Sequence, residues 1–121
     1  MNDFRDLQFY QKAFRNAMRV FEMTRTFPPE EKYALISQIR NSSRSVCSNI
    51  AEGYRKRHYE KHFIAKISDA DMENSESIVW LEFALACGYI SRDICDDLCT
   101  RFEEVGRMLN YALQHPDRFS R

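Results

Sequence analysis

Four stretches of the chain carry apolar residues at three- and four-residue steps, the spacing of a single helix face. The first spans about 7–26 and aligns Leu7, Tyr10, Phe14, Ala17, Phe21 and Thr24. Asp3 and Asp6 precede it, where acids suit the positive end of a helix dipole. Phe27-Pro28-Pro29 ends it: a proline has no N–H to donate, and the residue before a proline avoids the α region. The second stretch, 29–52, opens on Pro29 with Glu30 and Glu31 in its first turn. Its stripe is Tyr33, Ile36, Ile39, Ser43, Val46 and Ile50. Asn41, Ser42, Ser43, Ser45, Ser48 and Asn49 make its middle small and polar, so a neighbouring helix can come close. Gly53 reads as the residue just past its end.

The third stretch, 59–87, places Phe63, Ile67, Ala70, Ile78, Leu81 and Leu85 inward. Asp69, Asp71, Glu73, Asn74 and Glu76 interrupt that stripe. Gly88 stops the helix, and Tyr89-Ile90 can fold back over its end. The fourth stretch, 92–114, starts from Ser91 as N-cap with Asp93 in the first turn. Ile94, Leu98, Phe102, Val105, Leu109 and Ala112 form its seam. Gly106 within it costs about 1 kcal/mol against Ala and marks a close helix contact. Pro116 ends the helix, and residues 117–121 read as a frayed tail. Four long helices, short links and no strand-period segment predict an all-α antiparallel up-down-up-down four-helix bundle, a single domain over 1–121.

Composition narrows the class. Three Gly and three Pro in 121 residues supply too few turns for a β-sandwich or barrel. No apolar run approaches the ~20 residues of a membrane span, and Met1 to Asp6 has no apolar leader segment. A cytoplasmic location without membrane contact is the expectation. Cys47, Cys87, Cys95 and Cys99 form no Cys-x-x-Cys pair, so four reduced and mostly buried thiols are expected. The formal net charge is zero, yet residues 1–66 hold 13 Lys and Arg against 7 Asp and Glu, and residues 67–121 hold 5 against 11. Halves of opposite sign can pair within or between subunits, or leave a basic face free for a polyanion.

Several chemistries lack their residues. A di-iron bundle needs Glu-x-x-His, but Arg55, Tyr59 and Ala112 stand three residues before His58, His62 and His115. His58 and His62 are one turn apart among Lys56, Arg57 and Lys61, whose field repels a cation. No metal or cofactor is expected. There is no Gly-x-Ser-x-Gly elbow and no Gly-rich phosphate loop. Asp69, Asp71, Glu73 and Glu76 have no His or Lys beside them in sequence to complete a catalytic pair, and read as solvated or inter-subunit charge. No enzyme is expected; a small enzyme with a polar site inside the bundle is one alternative. The candidate site is instead basic: Arg55, Lys56, Arg57, His58 and Lys61, continued by His62 and Lys66. Arg40 and Arg44 lie one turn apart in the preceding helix, and Tyr54 and Tyr59 are interleaved where they could stack on bases. Such density of Lys and Arg suits phosphate contacts of RNA or DNA. The competing reading pairs these cations with acids of a neighbouring subunit.

Phe9-x-Gln11-Lys12-Ala13, Phe27-Pro28-x-Glu30-Glu31-x-Tyr33-x-Leu35, Ser37-Gln38-Ile39-Arg40, Ser48-Asn49-Ile50-Ala51-Glu52-Gly53 and Leu81-x6-Gly88-Tyr89 together resemble the four helix bundle protein family. It is also called the 23S rRNA-intervening-sequence protein family, and it includes the accessory variability determinant of diversity-generating retroelements. The likeness covers about residues 7–113. It implies an antiparallel bundle that assembles as a ring-like homopentamer around a central channel. Most members are bacterial, cytoplasmic and without known activity, and some are encoded within insertions in 23S rRNA genes. Retroelement members bind nucleic acid through a basic surface and dock on a reverse transcriptase, so both are implied partners. Of the motif residues Gln38, Arg40, Ser48, Asn49, Glu52 and Gly53, a structural role is expected, with Asn49 and Glu52 joining the helix end to its neighbour. This chain has Cys47 where the family commonly has Pro, and an acidic Ala70-Asp71-Met72-Glu73-Asn74 where it commonly has small residues. The expected function is a non-enzymatic, self-assembling accessory protein that binds nucleic acid. A purely structural or protein-binding ring is the alternative.

Overall fold

A computed structural model describes residues 3–120; Met1, Asn2 and Arg121, and the parts of the leader and tail readings that fall on them, lie outside it. The long helices are α1 (Gln8–Thr24), α2 (Leu35–Arg55), α3 (Glu60–Ala86) and α4 (Arg92–Gln114). Single 3-10 turns occupy Phe4–Asp6, Pro29–Glu31 and Pro116–Arg118, and no strand occurs among the described residues. None of the helices among them is long and apolar enough to cross a membrane. The broadest contact is α2 on α3, followed by α3 on α4. Among the described residues α1 lies against α2 and α4 and not against α3, so α1 and α3 occupy opposite corners of a four-helix bundle.

The second helix starts later than its proline suggests. Pro29 opens one 3-10 turn, and Ala34 then leaves the helical region at φ −123° and ψ −106°. The α2 ladder begins at Leu35, whose N–H donates to Glu31 Oε1 at 3.2 Å, so Glu31 caps α2 from outside it. Tyr33, assigned to the stripe, sits in that turn and is exposed. Gly53 does not terminate α2, which runs on to Arg55. A Cβ at Gly53 would stand 3.2 Å from Ile67 Cδ1 and from Lys66 Cβ, so the glycine lets α3 pack closely there. Gly88 is the true stop, at φ 78°. Its N–H donates to Leu85 O and that of Tyr89 to Ala84 O, both at 2.9 Å, which closes the end of α3. The Tyr89 hydroxyl donates to Glu31 Oε2 at 2.8 Å, and this bond pushes the Tyr89 pKa up to about 12. Ser91 caps α4 by accepting from the Ile94 N–H at 3.2 Å. The tail does not fray over its described part: Phe119 stacks on Phe63 at 5.7 Å and meets Phe9 edge-on at 5.8 Å.

Two apolar clusters fill the interior. One joins Phe9 and Ala13 of α1 to Ile50 and Tyr54 of α2, Phe63 and Ile67 of α3, and Leu109 and Ala112 of α4. The other joins Val20 of α1 to Leu35 and Ile39 of α2, Leu81 and Ala84 of α3, and Cys95, Leu98 and Phe102 of α4. Buried polar residues lie between them: Asn16, Ser42, Ser43, Asn74 and Ser77. The Ser42 and Ser77 hydroxyls meet at 2.8 Å. Asn16 Nδ2 donates to Arg101 O at 3.2 Å, and Asn74 Nδ2 to Phe102 O at 2.7 Å. Asn74 Oδ1 is buried and accepts no hydrogen bond.

Three stripes shift accordingly. In α1 the inward row is Phe9, Ala13, Ala17, Val20 and Thr24, while Tyr10 and Phe21 flank it and Phe14 is 49% exposed. In α3 the buried row runs Phe63, Ile67, Ala70, Asn74, Ser77, Leu81 and Ala84 without a break, so Asn74 continues the stripe, and Ile78 and Leu85 fall beside it. In α4 the row starts at Cys95, and Ile94 is exposed.

All four cysteines are free; Cys47 and Cys95 are buried, Cys99 is half-buried and Cys87 is exposed. Burial raises the Cys47 thiol to about 11 and, with Cys95 beside it, the Cys99 thiol to about 12. Only thiolates attack disulfide reagents. At pH 8 the folded protein should therefore release one equivalent from a thiol reagent quickly, through Cys87, and the other three only on addition of denaturant. Loss of the fast phase in Cys87→Ser checks the assignment; a second fast equivalent would contradict it.

Candidate nucleic-acid interface

The last turn of α2, a four-residue link and the first turn of α3 bring the basic cluster to one corner. The ending is local: the Lys56 N–H donates to Glu52 O and Gly53 O, and the Arg57 N–H to Tyr54 O at 3.2 Å. Cations here also complement the negative end of the α2 dipole. The Tyr59 N–H then donates to Lys56 O at 2.9 Å, and Tyr59 O accepts from the Phe63 N–H at 3.0 Å, which starts α3. Phe63 is sealed in the core beneath the corner. The sequence thus forces Arg55, Lys56, His58, Lys61 and His62 outward, and all five are exposed.

The remaining candidates separate into different roles. Arg57 is half-buried; its guanidinium lies 4.1 Å over the Tyr54 ring and donates to Tyr54 O at 3.1 Å. Tyr54 itself is a core residue and offers no face to a base. Tyr59 does: it is 65% exposed and edge-on to His62 at 6.1 Å. Lys66 is committed to Glu52 at 2.8 Å, and that bond raises its pKa. Arg40 is tied to α1: Nε donates to Thr24 Oγ1 at 2.8 Å, and the guanidinium lies 4.8 Å over the Phe21 ring. Arg44 is exposed, but eleven residues before Arg55 places it about 16 Å away along the helix, about two Debye lengths in physiological salt. The structure therefore gathers Arg55, Lys56, Arg57, His58 and Lys61, and leaves Arg40 and Arg44 outside.

Arg55, Lys56 and Lys61 have no acid within 4 Å among the described residues, although Glu60 lies between them in sequence. The motif residues are placed around the joint. Glu52 bridges to Lys66 of α3, and Gly53 admits α3; Asn49 bonds within its own helix, Nδ2 donating to Ser45 O at 2.9 Å. Ser48 does the same at 3.2 Å and is exposed, as is Gln38 near the other end of α2. Among the described residues no three His, Cys, Asp or Glu side chains gather as a metal site. Of the acidic run on α3, Asp71 and Glu73 are raised by partial burial, and Glu73 further by Glu76 and Asp69. The sequence reading missed Asn74 as a buried polar residue; its position four after Ala70 and seven before Leu81, within the apolar row, was the available signal.

Comparison with known proteins agrees with the fold. A crystal structure of a protein of unknown function from the S23 ribosomal protein family of Bacteroides thetaiotaomicron VPI-5482 superposes with a TM-score of 0.80 at 24% identity, covering 88% of this chain and 95% of that one. No curated protein matches. The model of the 23S rRNA-intervening sequence protein family matches residues 5–111. A match over that much of the chain decides the affiliation: the chain belongs to the 23S rRNA-intervening sequence protein family.

Proposed function

We propose that this protein is a non-enzymatic, self-assembling helical bundle that binds RNA or DNA through the corner between α2 and α3. The observation that carries the reading is the set Arg55, Lys56 and Lys61, exposed and without an internal acid among the described residues. Unpaired cations on one rigid corner, with Tyr59 exposed among them, suit a phosphate backbone and one stacked base. An antiparallel up-down course is supported by the core clusters, each of which joins the same end of α1 and α3 to the opposite end of α2 and α4. Ring assembly is supported by the opposed charge of the two halves of the chain; five subunits is what the family likeness implies.

The test is a salt titration of binding to labelled duplex DNA, structured RNA and an RNA–DNA hybrid. The variant Arg55→Ala/Lys56→Ala/Lys61→Ala leaves Arg57 in place on its tyrosine. At about 1 kcal/mol per lost phosphate contact it should bind about a hundredfold more weakly at fixed salt. The slope of log K against log salt should fall by about 2.7, or about 0.9 per contact. Equal affinity and slope would overturn the reading. If the variant instead weakens the oligomer, these cations meet acids of a neighbouring subunit, and the protein is a structural ring.

A further inference from the structure

Where the tail packs against the bundle, the side chains leave a hollow of about 460 Å³, within the range of small-molecule sites. Its walls are mainly aromatic: Phe9 of α1, Tyr54 of α2, Tyr111 of α4 and Phe119 of the tail, completed by Leu7 and Met108. The walls are held from behind. Leu7, Phe9 and Tyr54 are buried, and Phe119 is fixed by its ring contacts to Phe63 and Phe9. The hollow is therefore preformed, and a ligand entering it has little of the protein to order. Tyr111, 43% exposed, stands at its rim.

Two longer polar side chains reach the hollow, Gln8 and Arg118, and no acid lines it among the described residues. The Arg118 guanidinium lies 5.9 Å over the Tyr111 ring and has no acid within 4 Å among the described residues. Its backbone is set by the 3-10 turn Pro116–Arg118, in which the Arg118 N–H donates to His115 O at 3.1 Å. The charge of the site thus has one sign and one place.

Each feature narrows the ligand. Aromatic walls favour a flat ring, which packs by face or by edge. The fork of a single guanidinium matches a carboxylate. A cation is repelled by Arg118, and a nucleobase would bury its polar edges against apolar walls, a cost that a hydrocarbon ring avoids. The geometry points to a binding site for a small aromatic monocarboxylate, its ring among Phe9, Tyr54, Tyr111 and Phe119 and its carboxylate accepting from Arg118. Arg55, Lys56 and Lys61 do not line the hollow, so the site stands apart from the nucleic-acid reading.

The test is a titration with 2-naphthoate, followed by the methyl signals of protein carrying ¹³C-methyl methionine. Met108 is in the wall, and Met108→Leu identifies its signal. Met18 and Met23 border a different hollow and Met72 is exposed on α3, so these three serve as controls. The Met108 signal should move and saturate, with half-saturation at about 1 mM or below for a ligand of this size, while the controls stay in place. The uncharged counterpart, 2-naphthylmethanol, should bind about tenfold more weakly. Arg118 is exposed, so Arg118→Gln keeps the fold; it should weaken 2-naphthoate about tenfold and leave 2-naphthylmethanol unchanged. A Met108 signal that does not move, or that moves no more than the controls, would overturn the site. Equal affinity of wild type and Arg118→Gln for 2-naphthoate would overturn the carboxylate.

Discussion

Phe63→Ala should lower the stability of the bundle by about 4 kcal/mol, within the range for removing a buried phenyl ring. Phe63 is 1% exposed, stacks on Phe119, and shares a cluster with Ile50, Tyr54 and Ile67. Collapse around the gap is limited on the α2 side, because Gly53 already brings the two helices as close as Ile67 and Lys66 allow. The ring also anchors the first turn of α3, so the loss falls on the segment that presents Lys61 and His62. Urea unfolding at fixed protomer concentration should show the midpoint falling by about 2 M at an unchanged slope of about 2 kcal/mol/M. A fall of less than about 0.5 M would show that Phe63 is not the keystone of this end.

The helices themselves were legible because three- and four-residue spacing and the stops at Pro28-Pro29 and Gly88 point the same way. Which face turns inward was less so. In α1 the rows Phe9, Ala13, Val20 and Tyr10, Phe14, Phe21 are both helical in spacing. Hydrophobicity favours the aromatic row, yet the smaller one is buried. A bundle core needs side chains that let helices approach, and the larger row is left for the groove with α2. The late start of α2 was hidden for another reason: Pro29 suits a helix and a 3-10 turn equally, and Glu31 caps Leu35 through a side chain that no pattern reveals.

The candidate site was legible where it is local and illegible where it is tertiary. Arg55 to Lys61 are brought together by a four-residue link, and sequence neighbours of one sign stay neighbours in space. Arg40 looks identical in sequence, but its guanidinium is consumed by Thr24 Oγ1 and the Phe21 ring of another helix. Tyr54 is likewise spent in the core and under Arg57. Composition assigns charge to a residue; only packing shows whether that charge still has a vacancy to fill.

Asn74→Asp should destabilise the bundle by about 4 kcal/mol at pH 7 and by little at pH 4. In the native protein Asn74 Nδ2 donates to Phe102 O at 2.7 Å, while Oδ1 is buried without a donor. A carboxylate in its place sets an acceptor against an acceptor and brings no donor for either oxygen. Asp71, one turn earlier on α3 and itself raised by burial, adds a like charge. The folded pKa of the new acid is therefore pushed above the unfolded value of about 3.9. For an acid raised on folding, no penalty exists below the unfolded pKa, where both states are protonated. The penalty then grows by about 1.4 kcal/mol per pH unit until the folded pKa is reached. A shift of about 3 units gives the stated loss, and at pH 4 the protonated carboxyl can donate to Phe102 O as the amide does. Urea midpoints of variant and wild type at both pH values isolate the effect from the other carboxylates. A deficit independent of pH would mean that residue 74 is not held away from water. Asn74→Leu should raise the midpoint at both pH values, since it removes the unpartnered oxygen and adds apolar burial between the two clusters. The two substitutions move stability in opposite directions from one position, which separates the desolvation of this layer from any loss of shape.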